Sequence, residues 1–381
     1  MIYLDHNATS PPRPGVAEAM MAAMTTIHGN PSSVHGPGRR ARQLLDDARR
    51  ALARLAGVHE SRVIFTSGGT ESNHLALFGV AEAAGCQGTI LTSAVEHPSV
   101  LNPLERLEAR GMRVVRLPVD SQGRVNPDEI QRALTPDTRL VSIMAANNET
   151  GVLQPIEAIG ALCRAAKVPF HCDATQWFGK RPLGVDTLGA DLITLSAHKS
   201  GGPKGCGALI VGAALQLAPL LLGGGQERGR RSGTENLPGI AGFAALAGQL
   251  AGRIEEEARH TTALRGKMEN ELLKSVPDAI ILGAGAERLP NTTALLIPGV
   301  DGETLVMTLD LAGFAISSGA ACASGKNSPS HVPLAMGWTP EATRGMVRIS
   351  LGWETTETMV DSFISAFQRS VDRLRKGSAF A

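Results

Sequence analysis

The stretch 192-LITLSAHKSGGPKGCGALIV-211 has two apolar runs on either side of a polar, glycine-rich segment. The first run predicts a buried strand, the glycines predict a turn, and the second run predicts another strand. Ser196, His198 and Lys199 therefore fall where the first strand ends. A lysine at a strand end is held rigidly and can point into a cavity for covalent chemistry, whereas one needed only for solubility would lie on a helix face. A surface lysine beside a turn is the alternative.

Apolar runs typical of strands alternate with helical patterns along the first half of the chain. Because these runs read as buried on both faces, they predict a mainly parallel sheet covered by helices, an α/β fold. In such sheets ligands bind at the C-terminal ends of the strands. The predicted strands are 63–67, 89–93, 114–119, 140–146, 169–174 and 192–197, and the helices begin near 70, 98, 127 and 155.

The length of 381 residues, 43% of them hydrophobic, predicts more than one core. Single cores rarely grow past about 250–300 residues. A long helical pattern from Leu237 to Leu273 is the predicted connection to a second domain, which contains the short strands 279–283 and 346–351. The glycine cluster 223–233 is typical of a functional loop or an ordered turn and not of a linker.

Charge and targeting features exclude several classes of partner. Lys plus Arg number 37 and Asp plus Glu 36, which argues against binding to nucleic acid or an acidic membrane surface. The apolar stretch 213–222 is too short to span a bilayer, and the N-terminus lacks the pattern of a signal peptide. The five cysteines are scattered, with no C-x-x-C pair, so neither a disulfide framework nor a structural zinc site is expected. A cytoplasmic location is the simplest expectation.

Other loops at predicted strand ends carry candidate binding groups. Gly69 and Thr70 lie in a Gly-Gly turn directly before a helix, where free N–H groups and the helix dipole favour phosphate; an ordinary turn is the alternative. His97 stands at a loop-to-helix junction, where a lone histidine is more often a cap or a buried hydrogen-bonded residue. Asn147 and Asn148 follow another strand, and turn chemistry accounts for them as well as substrate binding does.

An acidic residue completes a recognisable set. Asp173 ends an apolar strand, where a carboxylate is costly unless it faces a cation. A phosphate cradle, this carboxylate and Lys199 together are what pyridoxal 5′-phosphate (PLP) requires: a Schiff-base lysine, a partner for the ring nitrogen and a phosphate site.

Two residues near the C-terminus are candidates for substrate chemistry. Cys322 lies among small residues in 312–331, a composition typical of an accessible loop, and it could attack a bound substrate; a loop residue without function is the alternative. Cys86, Cys163, Cys172 and Cys206 read as structural. Arg348 could clamp a carboxylate with two hydrogen bonds, although the residue alone favours a salt bridge with a neighbouring acid.

With these residues, the chain resembles a known family, the NifS-like cysteine desulfurases, which are PLP-dependent enzymes of the aminotransferase class V group. The resemblance runs nearly from end to end. It is carried by YLDHNAT (3–9), GNPSSVH (29–35), FTSGGTESNH (65–74), EHPSV (96–100), NNETG (147–151), CDATQ (172–176), SAHKSGGPKGCGAL (196–209), GGGQERGRRSGTEN (223–236), SSGAACASG (317–325) and VRISLG (347–352).

The resemblance implies the fold of type I PLP-dependent transferases, similar to aspartate aminotransferase. It implies a large PLP-binding domain over 14–256 with a mainly parallel sheet. A smaller α/β domain would comprise 1–13 and 257–381 and carry the catalytic cysteine loop. The enzyme is expected to be a homodimer with shared sites.

The resemblance also assigns site residues. The implied catalytic groups are Lys199, which carries PLP, His97, which stacks on the ring as an acid–base candidate, and Cys322, which accepts sulfur as a persulfide. No metal is expected. The implied cofactor ligands are Gly69, Thr70, Ser196 and His198 for the phosphate, Asp173 for the ring nitrogen, Gln176 for the ring oxygen, and Thr234 from the other subunit; Asn148, Arg348 and Asn30 would hold the substrate carboxylate.

The implied reaction removes sulfur from L-cysteine. Lys199 takes the α-proton, the Cys322 thiolate attacks the substrate sulfur, and L-alanine leaves. The persulfide passes to an acceptor, in this family an iron–sulfur scaffold protein or a tRNA-thiolation relay. The loop after Cys322 differs from the family pattern and has Pro333 in its following helix, so the acceptor stays open.

Three other functions are compatible with parts of the sequence. A class V aminotransferase or selenocysteine lyase would share the pocket, but an aminotransferase has no need of Cys322. A sulfur-relay or scaffold subunit without catalysis is disfavoured by the presence of Lys199, Asp173 and His97 together. Nucleic-acid binding through 228-RGRRSG-233 is disfavoured by the near-neutral charge.

Overall fold

The computed structural model describes residues 1–184, 188–319 and 329–378. Strands and helices alternate along this part of the chain as predicted. The strands are β1 (Ile2–Tyr3), β2 (Val63–Thr66), β3 (Thr89–Ser93), β4 (Arg113–Leu117), β5 (Thr138–Ser142), β6 (Phe170–Asp173), β7 (Leu192–Ser196), β8 (Gly207–Val211), β9 (Ile280–Ile281), β10 (Thr292–Leu296), β11 (Phe314–Ala315), β12 (Ser317–Ser318) and β13 (Met346–Ser350). The helices are α1 (Val16–Thr26), α2 (Gly36–Ala56), α3 (Gly69–Ala83), α4 (Pro98–Glu108), α5 (Pro127–Ala133), α6 (Ile156–Ala166), α7 (Leu237–Leu250), α8 (Ile254–Ser275), α9 (Gly302–Leu311), α10 (His331–Ala335), α11 (Pro340–Thr343) and α12 (Glu357–Ser378).

The larger sheet has the order β2-β8-β7-β6-β5-β3-β4 within the described residues. Neighbours from β7 to β4 pair in parallel, and β8 runs antiparallel to both β7 and β2. The prediction of a mainly parallel sheet is confirmed. Since the parallel strands end at the same edge, the loops after β3, β5, β6 and β7 converge there.

Helices cover both faces of this sheet. Alternate strand residues point to opposite faces, so Ile193 packs in one apolar cluster and Leu192 in another. The first cluster includes side chains of α2, α6 and α7, and the second includes side chains of α3 and α4. Because both faces are buried, the strands are almost entirely apolar, as the sequence suggested.

Local sequence signals explain individual helix ends. Asn126 accepts a hydrogen bond from the Asp128 N–H at 3.0 Å, and Pro127 occupies the first position of α5. Both features match the usual start of a helix, where a side chain satisfies a free N–H and proline lacks one.

The long helix predicted from Leu237 to Leu273 is wrong in one respect. The chain forms two helices, α7 and α8, separated by Ala251–Arg253. Gly252 has a φ of 80°, a left-handed conformation that glycine adopts readily and that breaks the helix. Three glutamates in the first turn of α8 then favour a new start beside the helix dipole.

A second sheet has its own core. It has the order β12-β13-β10-β9 and is antiparallel in the part described. Its apolar cluster includes side chains of α8, α9 and α12, together with Leu4 from the N-terminal segment. Two separate cores agree with the expected second domain, while boundaries at 13/14 and 256/257 stay a prediction.

Two further properties bear on the sequence analysis. Cys86, Cys163, Cys172 and Cys206 are all free thiols, and the last three are buried. Among the described helices, none combines the length and apolarity that a membrane crossing requires.

Candidate active site

A cavity of about 270 Å³ lies at the C-terminal edge of the larger sheet. Loops after β2, β3, β5, β6 and β7 line it, together with the N-terminal segment and β13. The predicted site residues that it brings together are Gly69, Thr70, His97, Asn148, Asp173, Gln176, Ser196, His198, Lys199 and Arg348.

Three predicted site residues are not among those lining residues. Asn30 and Thr234 are exposed in the described chain, and the Asn30 side chain accepts a hydrogen bond from the Ser32 N–H. Thr234 was expected to reach the phosphate site of the other subunit, whereas Asn30 was expected to assist Asn148 and Arg348 at the substrate carboxylate. Cys322 lies outside the described residues.

Lys199 stands in a short 3₁₀ turn, Ala197–Ser200, directly after β7. Its Nζ donates to the carbonyl oxygens of Asn7 at 2.9 Å and Ala8 at 2.7 Å. The amine therefore lies between the sheet edge and the N-terminal segment. This placement agrees with the sequence prediction of a lysine pointing into a cavity.

Asp173 ends β6 and is buried at 6% exposure. One carboxylate oxygen accepts from Asn73 Nδ2 at 2.8 Å and the other from the Thr175 N–H at 2.9 Å. These two donors offset part of the cost of burying a carboxylate, which is several kcal/mol when unpaired. They also fix the plane in which the carboxylate faces the cavity.

His97 caps the N-terminus of α4. The Ser99 N–H donates to its Nδ1 at 3.0 Å, so that nitrogen is an acceptor and the neutral ring carries its proton on Nε2. Burial lowers the pKa of His97, Asp173 opposes this, and Lys199 and His331 lower it further. The cap explanation is therefore correct, and it leaves Nε2–H available to the cavity.

The start of α3 and the end of β7 bring together the residues predicted to hold a phosphate. Gly68 precedes the helix with a φ of 154° and provides no side-chain cap in the described structure, so first-turn N–H groups remain available. A Cβ on Gly69 would lie 3.0 Å from Thr175 Oγ1, so glycine leaves space there for a ligand. Burial, then Lys199 and Lys204, lower the pKa of His198 to about 4, so its ring is neutral.

The cradle opens into a second depression of about 450 Å³. Gly69, Thr70, Ser196 and His198 line both spaces, and Lys204 lines only the outer one. The phosphate end of the site is thus accessible from outside this chain.

Arg348 lies on β13 opposite the sheet edge and is 3% exposed. One terminal nitrogen pairs with Asp5 Oδ1 at 2.7 Å and with Ser317 Oγ at 3.2 Å, and the other donates to the Asn148 carbonyl at 3.1 Å. A salt bridge therefore forms, but with Asp5, 343 positions away, and not with a neighbouring acid. Arg348 Nε is buried and lacks a partner among the described residues, so a donor remains for a bound anion.

The chemistry of the cavity fits PLP. Thr175 Oγ1 and Asn73 Oδ1 are buried polar atoms with no partner in the described part of the chain, and both residues line the cavity. Such atoms are costly unless a polar ligand satisfies them. Lys199, Asp173 and the start of α3 match the aldehyde, the ring nitrogen and the phosphate of PLP in chemical type.

Several lining residues were missed by the sequence analysis, namely Asn7, Ala8, Asn73, Ser99, Met144, Ala146 and Thr175. A signal existed for Asn73, which follows Gly69 by four residues and so shares its helix face. No local signal marked Asn7, because its role depends on contacts with distant parts of the chain.

Comparisons with known proteins agree with this geometry. The family model described as aminotransferase class V matches residues 2–363. The chain is 43% identical over 380 residues to a cysteine desulfurase of Nostoc sp., covering all of this chain and 95% of that protein. It is 40% identical over 380 residues to cysteine desulfurase IscS of Dictyoglomus turgidum, with 100% and 96% coverage. A solved structure described as a NifS-like protein superposes with a TM-score of 0.91 at 36% identity, covering 98% of this chain and 99% of that one.

Proposed function

The chain belongs to the aminotransferase class V family and, within it, to the cysteine desulfurases, and we propose that it converts L-cysteine to L-alanine by transferring sulfur to Cys322. The observation that carries this proposal is the convergence of Lys199, Asp173 and Arg348 on one cavity. A cofactor amine, a partner for a ring nitrogen and an anion-binding guanidinium are what an enzyme acting on an amino acid with PLP requires.

PLP is the cofactor of this enzyme family, and when bound it supplies an electron-accepting ring that stabilises negative charge at the substrate α-carbon. Lys199 would hold it covalently. Asp173 would keep its ring nitrogen protonated, and Gln176 would donate to the ring oxygen. Gly69, Thr70, Ser196 and His198 would hold its phosphate.

Substrate binding would use the wall opposite the sheet edge. Arg348 carries a fixed positive charge with an available Nε–H, so it suits the α-carboxylate, and Asn148 lies beside it. Lys199 would then move the α-proton of the substrate. His97, with its proton on Nε2, is the second acid–base candidate.

The sulfur step balances without an external redox partner. The Cys322 thiolate attacks the substrate sulfur, an S–S bond forms, and the C–S bond breaks. The electron pair of that bond stays on carbon and takes up a proton, so L-cysteine and a thiol become L-alanine and a persulfide. This step remains a proposal because Cys322 lies outside the described residues.

The test is to incubate the purified protein with L-cysteine and measure alanine and protein persulfide together. We expect equal amounts in the first turnover, and a yellow protein whose absorption band borohydride removes. Cys322→Ala should keep the band and form neither persulfide nor sulfide, while the matched control Cys86→Ala should behave like the wild type. Sulfide release at the full rate from Cys322→Ala would reject Cys322 as the nucleophile.

We further propose a homodimer in which Thr234 serves the partner's phosphate site, while Asn30 assists in holding the substrate carboxylate. Thr234 is exposed and is not among the cavity-lining residues described, and the outer depression beside the cradle leaves room for such a group. Large exposed apolar side chains at Met24, Val34 and Leu222 support burial by another surface. Light scattering that gave the mass of one chain would reject the dimer.

The acceptor of the sulfur is proposed to be an iron–sulfur scaffold protein or a tRNA-thiolation relay. The name of the Dictyoglomus relative, IscS, favours the first. A cytoplasmic location is proposed as well, supported by the four free thiols in the described chain.

A further inference from the structure

A second lysine, Lys180, contacts the same residue of the N-terminal segment, Asn7, as Lys199 does. Lys180 follows β6 and the segment that carries Gln176, and its side chain is partly buried. Its Nζ donates to Gln176 Oε1 at 2.5 Å and to Asn7 Oδ1 at 2.9 Å. One amine thus connects the residue expected to face the cofactor oxygen with the segment that contacts Lys199.

These contacts fix the orientation of the Gln176 amide. Since a lysine only donates, the oxygen of the amide must face Lys180, and its NH₂ group faces the opposite way. Gln176 Nε2 accordingly donates to the Asn7 carbonyl at 3.0 Å, the same oxygen that accepts from Lys199. Without Lys180 the amide could turn over and present its oxygen to the site.

Asn7 is held equally firmly. Its side-chain oxygen accepts from Lys180 and from Asn291 Nδ2 at 3.2 Å, while its Nδ2 donates to Thr292 Oγ1 at 2.9 Å and the Asn148 carbonyl at 3.2 Å. Asn7 therefore connects the second sheet with the larger one beside Lys199.

Charged and titratable groups from several parts of the chain surround the Lys180 amine. Burial, then Lys199 and Arg348, hold the pKa of Lys180 well below its usual range. On its other side, a small cavity of about 40 Å³ is lined by Lys180 and Lys199 together with three titratable groups, His6, Arg13 and Glu257. Arg13 forms a bidentate ion pair with Glu257, in which its two terminal nitrogens donate to the two carboxylate oxygens at 2.7 Å each.

We propose that Lys180 is a positioning residue of the desulfurase site, which holds the Gln176 amide with its NH₂ group on the side of Lys199 and anchors Asn7 beside it. The proposal rests on the proposed function. It has an electrostatic consequence as well: Lys180 and Lys199 repel each other when both are protonated, so each amine lowers the proton affinity of the other. Replacing Lys180 by a neutral side chain should therefore raise the pH at which the Lys199 nitrogen loses its proton.

The test is to record the absorption spectrum of the PLP-loaded protein over a range of pH values in the absence of substrate. We expect Lys180→Met to raise the pH midpoint of the cofactor's absorption change by about one unit, a tenfold change in proton affinity. Lys180→Arg keeps the charge and the two donors and should stay near the wild-type midpoint. The control Lys274→Met makes the same change at a side chain that is 71% exposed and should have no effect.

A structural role alone would lower the melting temperature of both variants and leave the midpoint in place. Equal midpoints in Lys180→Met and the wild type would overturn the proposal, as would equal shifts in Lys180→Met and Lys180→Arg. If the methionine variant does not fold, Lys180→Gln, which is neutral and can donate one hydrogen bond, takes its place with the same expectations. Since the readout needs no turnover, it is separate from the alanine assay that tests the proposed function.

Discussion

The two walls of the cavity are built in different ways. The sheet wall consists of Asp173, Gln176, Ser196, His198 and Lys199, which follow adjacent parallel strands. The small-domain wall consists of Asn7, Ala8 and Arg348, where the N-terminal segment meets β13; the Arg348–Asp5 ion pair joins residues 343 positions apart. The first wall follows from a local rule about strand ends, and the second exists only once the chain has folded.

This difference separates two kinds of function. The sheet wall carries the groups suited to a cofactor, and the small-domain wall carries the guanidinium suited to a substrate carboxylate. If the division is correct, substitutions on the sheet wall should change the cofactor spectrum, and substitutions on the small-domain wall should change KM.

A buried glutamate also lies near each wall. The two glutamates should lose their protons, and so affect stability, at different pH values. Burial raises the pKa of Glu96, behind His97, to about 8, and that of Glu149, which bonds Ser330 and lies near Arg348, to about 7. Both values exceed the ordinary 4.5, so the folded state binds the extra proton. The stabilisation of the folded state by these protonated carboxyl groups is fully present below pH 4.5. It is lost as pH rises through about 8 for Glu96 and about 7 for Glu149.

Glu96→Gln should remove the larger of the two pH-dependent losses of unfolding free energy. Relative to the variant, the wild type should lose on the order of 4 kcal/mol of unfolding free energy between acidic and alkaline pH. Glu149→Gln should show a smaller difference that ends nearer neutral pH. Urea unfolding curves across that range measure both. Parallel pH profiles for the wild type and Glu96→Gln would contradict the prediction.

The same contrast explains how much the sequence could predict. His97, Asp173, Ser196 and Lys199 were identified because each ends or follows a strand, and the sheet needs no further information to bring them together. The Asp5–Arg348 pair was not identified, since the acid that satisfies this arginine lies at the other end of the chain. The break at Gly252 was missed because an isolated glycine within a helical pattern is often tolerated and does not by itself mark a helix end.

Asp173→Asn tests the sheet wall. The amide keeps the shape of the carboxylate but carries no charge, so it cannot hold a proton on a ring nitrogen. We expect alanine formation to fall about a hundredfold, through kcat, with an altered absorption spectrum of the bound cofactor and little change in KM. An unaltered spectrum with a raised KM would assign Asp173 to substrate binding and remove the distinction between the walls.

Arg348→Lys tests the small-domain wall and should have the smallest effect. Lysine keeps the positive charge facing Asp5 but cannot also reach Ser317, the Asn148 carbonyl and a bound carboxylate, because it lacks the planar fork of arginine. We expect KM for L-cysteine to rise about tenfold, with the spectrum of the cofactor unchanged. Steady-state kinetics and absorption on the same preparation decide the point, and Arg344→Lys, which lines another depression and is not among the cavity-lining residues described, is the matched control. A changed spectrum in Arg348→Lys would mean that the two walls act on the cofactor together.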